Sequence, residues 1–104
     1  MAARRSPEEM ERIRRMNRDS RALLESLVDR LLPERVERLR IYSDVGEWGL
    51  LVNGLCGTLV KRQIPITSAE RDALAAVLAM FTTPRRGYDH IDDPDGTLAA
   101  LNVV

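Results

Sequence analysis

From Trp48 to Val60 the apolar residues Trp48, Leu51, Val52, Leu55, Cys56, Leu59 and Val60 recur at offsets of 3, 4, 7, 8, 11 and 12 from the tryptophan. This spacing lines one face of a helix, and the alternation that marks a half-buried strand is absent. The stripe therefore predicts a helix turned towards a core. The same stretch, Asp44 to Val60, holds the only tryptophan, the only cysteine and four of the six glycines. Gly49, Gly54 and Gly57 each cost up to ~1 kcal/mol against Ala in a helix interior. Gly54 and Gly57 are expected to admit the close approach of another helix.

Flanking segments follow the same grammar. Ser6-Pro7-Glu8-Glu9 is a helix start, with a cap, a proline at the first helical position and acids near the positive end of the dipole. Met10, Ile13 and Met16, then Leu23, Leu24, Leu27, Val28, Leu31 and Leu32, recur at helical spacing. The polar gap from Asn17 to Arg21 leaves open whether they form one helix or two. Pro33 ends this run and opens the next helix, with Val36, Leu39 and Tyr42 on one side. Gly46 suits a left-handed helix end. After the extended link Gln63-Ile64-Pro65-Ile66, Thr67 and Glu70 have capping-box spacing, ahead of an apolar face of Leu74, Val77, Leu78 and Phe81. Thr83-Pro84-Arg85-Arg86-Gly87 breaks that pattern.

The expected fold is all-α: a small antiparallel bundle of four or five helices with an irregular C-terminal tail. A chain of 104 residues predicts a single helical domain. Its core is expected over about residues 19–82, with an N-terminal extension over 1–18 and an acidic tail over 83–104.

Several classes of function lose support from the residues alone. One cysteine forms no internal disulfide, and no apolar run approaches the ~20 residues of a membrane span. The basic N-terminus lacks an apolar signal region, so a cytoplasmic home without membrane contact is expected. The glycines spell neither G-x-G-x-x-G nor a phosphate loop. Cys56 sits on the apolar stripe, where burial makes a thiol inert, so pairing with His90, the only imidazole, is not expected. In Asp89-His90-Ile91-Asp92-Asp93-Pro94-Asp95-Gly96, a calcium-loop alignment on Gly96 puts Ile91 in the first ligand position and Asn102 in the last. A solvated acidic loop fits better. No catalytic, metal or cofactor site is expected, and the chain reads as a binding protein rather than an enzyme.

Charge adds detail. Residues 1–40 hold eleven Arg against eight acids, and the net charge of the whole chain is zero. Acids interleave with Arg4, Arg5, Arg12, Arg14, Arg15, Arg18 and Arg21, and helical pairs such as Glu8 with Arg12 and Glu11 with Arg15 account for the pattern. Nucleic acid binding through these arginines is therefore the first alternative only. Self-association through the strip Met10, Ile13 and Met16, giving a homodimer, is the second.

Leu31-Leu32-Pro33-Glu34-Arg35-Val36, Gly46-Glu47-Trp48-Gly49-Leu50, Leu55-Cys56-Gly57-Thr58-Leu59 and Ile64-Pro65-Ile66-Thr67 together resemble the MafI-type immunity proteins of bacterial polymorphic toxin systems. The resemblance covers about residues 23–81. Lys61-Arg62 departs from it, because that family has more acidic residues at the end of this helix. The resemblance implies a small helical protein that binds and neutralises a cognate protein toxin. It carries over no catalytic or toxin-contact residues. From the residues themselves, candidate partner contacts are Glu47 and Trp48 at the turn and the cluster Asp89, Asp92, Asp93 and Asp95. The acids could mimic phosphates towards a nuclease toxin. Trp48 is the first member of the stripe, and its burial in the core is the favoured expectation.

Overall fold

The computed structural model describes residues 6–82 and 87–104. The expected break at residues 83–86 lies outside them, as do Arg4 and Arg5. The described residues form an all-α bundle: α1 (Pro7–Leu27), α2 (Pro33–Asp44), α3 (Trp48–Lys61), α4 (Ser68–Leu78), and two short helices, α5 (Asp89–Asp92) and α6 (Pro94–Ala100).

Local chemistry sets most boundaries. The Ser6 hydroxyl accepts from the Glu9 amide at 3.2 Å and starts α1 ahead of Pro7. The two apolar stretches prove to be one helix of 21 residues. Ser20 lies buried in the polar gap and donates to the Met16 carbonyl at 2.5 Å, so the helix backbone satisfies its hydroxyl. A 3-10 turn over Val28–Arg30 closes the run before Pro33 opens α2. Gly46, at φ +75°, makes the left-handed turn into α3. Thr67 and Glu70 form the expected capping box on α4, each side chain accepting from the other's backbone amide.

Ion pairs fix the helix directions. Arg21 reaches Asp44, and Arg40 reaches Glu25, so α2 descends as α1 rises. Arg30, in the 3-10 turn after α1, clasps Glu70 at the start of α4 and ties the end of one helix to the beginning of the other. α3 packs against both α1 and α2, and its Leu51, Val52, Leu55, Cys56 and Leu59 are wholly buried. A side chain of this size contributes about 1.5–3 kcal/mol when fully buried. A Cβ on Gly54 would stand 3.3 Å from Leu39 of α2, so the close approach expected at that glycine is real. Gly57 makes the same room for the His90 ring, not for a long helix.

The C-terminal segment corrects the expectation of an irregular tail. Asp93 caps α6, accepting from the Gly96 amide at 3.2 Å, and Pro94 takes the first helical position. Residues that resembled an acidic loop are thus a helix start. Asn53 of α3 supplies the anchor, its Oδ1 accepting from the His90 and Ile91 amides at 3.0 and 3.3 Å. Ile91 and Leu101 join the core cluster, which therefore extends past residue 82. Beyond α6 the chain forms an isolated parallel bridge. The Ile66 amide donates to the Asn102 carbonyl, and the Val104 amide donates to the Ile66 carbonyl.

Candidate functional site

The sequence singled out six residues for partner contact, and the structure divides them between two surfaces. Glu47 is exposed on the turn, where its amide donates to the Tyr42 carbonyl at 2.8 Å. Trp48 is half-buried, neither sealed in the core nor free in solvent. Its indole N–H donates to Asn17 Oδ1 on α1 at 3.3 Å. Asp89, Asp92, Asp93 and Asp95 are exposed on the α5–α6 corner. Of these, Asp93 is committed to its cap, and Asp92 has an interaction of its own. Asn53 and Gly57, which hold α5, stand about 140° and 180° round α3 from Trp48 at ~100° per residue. The acids and the tryptophan therefore do not converge. Among the described residues no three His, Cys, Asp or Glu side chains lie together closely enough to hold a metal ion.

Trp48 opens onto a groove of about 970 Å³ between the outer half of α1, the start of α3 and the end of α4. Ile13 and Met16 form one wall, and Met80 and Phe81 form the other. Ala76 and Ala79 keep the floor shallow, while Glu9, Arg12 and Arg15 rim it. The strip Met10, Ile13 and Met16 was expected to be incompletely covered, and the structure divides it: Met10 is exposed, Ile13 half-buried and Met16 buried. The opposite wall was not legible, because Met80 comes after the helical part of α4 and lies 67 positions from Ile13.

A second cleft, of about 940 Å³, runs between α2 and the C-terminal half of α3, with His90 at one side. Arg35, Arg38, Lys61 and Arg62 line it. Sequence reasoning missed it because its two walls come from different helices. The available signal was the pair Arg35 and Arg38, three apart and hence on one face of α2.

Most other arginines serve the fold. Glu11 pairs with Arg14 at 3.7 Å rather than with the expected Arg15, and Arg18 pairs with Asp19. Arg40 grips Glu25 through two nitrogens at 2.9 and 2.6 Å, and Arg21 adds a third contact at 3.0 Å. The Arg40 guanidinium, with help from Arg21, holds the Glu25 carboxyl down to about 2. Arg30, aided by the Thr67 amide, holds Glu70 down to about 2. Burial pushes the Cys56 thiol up to about 12, which leaves it protonated and a poor nucleophile.

Compared with known proteins, the chain matches no family model, no curated protein and no solved structure.

Proposed function

We propose that this chain is an immunity protein that binds a cognate bacterial protein toxin and blocks it by protein–protein contact. The observation that carries the reading is the Trp48 groove. The bundle leaves Ile13, Trp48, Met80 and Phe81 half-buried along one groove, with the buried Met16 beneath them. Such a channel suits an apolar or aromatic anchor from a partner, and the charged rim would set the partner's orientation. The resemblance of the helix-boundary motifs to MafI-type immunity proteins suggests the biological role. The four Asp residues remain a second contact region for a toxin with a basic cleft, although they would need a different face of the partner.

The test pairs capture with growth. The tagged chain is used to recover partners from its native cells, alongside the variants Ile13→Asp and Trp48→Ala. The reading expects a stoichiometric protein that arrests growth when expressed alone and is tolerated when this chain is co-expressed. Ile13→Asp is expected to abolish both capture and rescue, because it places a charge in the channel. Replacing Asp89, Asp92, Asp93 and Asp95 together by Asn, with capture unchanged, would remove the acids from the interface. A captured protein without toxicity, or capture and rescue indifferent to Ile13→Asp, would defeat the proposal.

A further inference from the structure

We infer that the cleft between α2 and α3 binds a ligand bearing two or more closely spaced phosphate groups. The inference goes beyond the protein-binding reading, because this cleft shares no lining residue with the Trp48 groove.

Three observations converge on it. First, the distribution of unpaired charge is uneven. Arg14, Arg18, Arg21, Arg30, Arg40 and Arg71 each have an acidic partner. Of the six described Arg and Lys side chains without an ion pair, Arg35, Arg38, Lys61 and Arg62 line this one cleft, while Arg12 and Arg15 lie on the Trp48 groove beside Glu9. Collecting four like charges without partners costs stability through mutual repulsion, and an anion between them removes that cost. Second, the charges face each other across a concavity: Arg35 and Arg38 come from α2, Lys61 and Arg62 from the end of α3 and its cap. A ligand seated there is contacted from two sides, which a single exposed helix face cannot do.

Third, the acids around it are few and the cluster of four Asp stays out. Only Asp29 and Glu34 line the cleft among carboxylates. The guanidinium fork pairs with phosphate through two nitrogens at once, and Lys adds a point charge. One phosphate group saturates one or two such forks, so four cations on two walls call for more than one. A free oligophosphate, including that of a nucleotide, and the phosphodiester backbone of a single strand both present this chemistry. Trp48 lies on the other groove and His90 supplies the one ring in the lining of this cleft, so recognition rests chiefly on the phosphates.

The experiment uses the full chain with inorganic tripolyphosphate and, separately, a labelled single-stranded oligonucleotide, at about 50 mM and about 200 mM salt. Arg35→Gln/Arg38→Gln is compared with Arg12→Gln/Arg15→Gln. Both double variants remove the same net charge, but the second alters only the rim of the apolar groove. Unfolding midpoints establish that both stay folded. Tripolyphosphate binding that weakens tenfold or more in the cleft variant and not in the rim variant supports the inference and identifies a free oligophosphate as the source. Oligonucleotide binding that tripolyphosphate fails to displace identifies the backbone as the source, and the cleft variant, which removes two cations, should then lower the salt slope by about 1.4. Failure of both ligands to bind at the lower salt overturns the inference. So does equal weakening in both double variants, which would mark general electrostatics. A poly-aspartate peptide that binds as tightly as tripolyphosphate would replace the phosphate class by carboxylates. None of these outcomes depends on the Trp48 groove, so each reading can fail alone.

Discussion

The two halves of α1 carry apolar residues at the same helical spacing and end in different surroundings. From Met16 to Leu27 the helix meets other elements, and Leu24 and Leu27 are sealed from water. From Pro7 to Arg15 no residue is buried, and Met10 is 39% exposed. One continuous helix thus passes from core element to uncovered wall within a turn, at the point where Trp48 reaches across to Asn17. Periodicity identifies which face of a helix would be buried. Whether anything covers that face depends on the lengths of its neighbours, and α4 ends its regular helix at Leu78, leaving Ala79, Met80 and Phe81 beyond it on the groove with Ile13.

The contrast can be broken most sharply at Leu24. Leu24→Ala is expected to lower unfolding stability by about 3 kcal/mol, read by denaturant titration, because it opens a cavity in a closed core. A loss under ~1 kcal/mol would mean that the covered half is no better packed than the exposed one. Asn53→Ala extends the comparison to the far end of the chain. It should cost about 1–2 kcal/mol by leaving the α5 amides without their acceptor. Hydrogen exchange at His90 and Ile91 should quicken well before exchange in α3. Uniform quickening would deny Asn53 its role as the anchor.

Acid sharpens the comparison through Glu25 on the covered half. Its folded value of about 2 lies below the ordinary 4.5, so the charged form is the one the fold favours. That contribution is fully present above pH 4.5 and is lost as pH falls from there through about 2. The pair is partly open to solvent, so the loss should stay under about 1 kcal/mol. Glu25→Gln should flatten this part of the stability profile, and an unchanged profile would show that the Arg40 contact is not maintained in solution. A similarly small effect belongs to the outer half. Ile13→Ser should cost no more than about 1 kcal/mol, well below Leu24→Ala, since the side chain is only half-buried. A larger loss would show that the groove is closed in solution.

Legibility followed the range of the interactions. Caps at Ser6 and Thr67, the proline start at Pro33 and the left-handed Gly46 are readable because each depends on residues within a few positions. The α3 stripe was readable because one helix displays it whole. The tail was misread because Asp93-Pro94-Asp95-Gly96 fits both a loop and a helix start. The deciding contact comes from Asn53, 37 and 38 positions away from the amides it binds. The two grooves were half legible: Trp48 was singled out, while Met80 and Phe81 beside it and the α2–α3 arginine cleft were not.

By itself, then, the sequence determined where helices begin and end and which faces are apolar, because backbone capping and side-chain spacing are local properties of the chain. Tertiary structure decided which of those faces stay wet, which arginines find carboxylates and which remain unpaired in a cleft. Those outcomes depend on distances between helices, and no pattern within one helix encodes them.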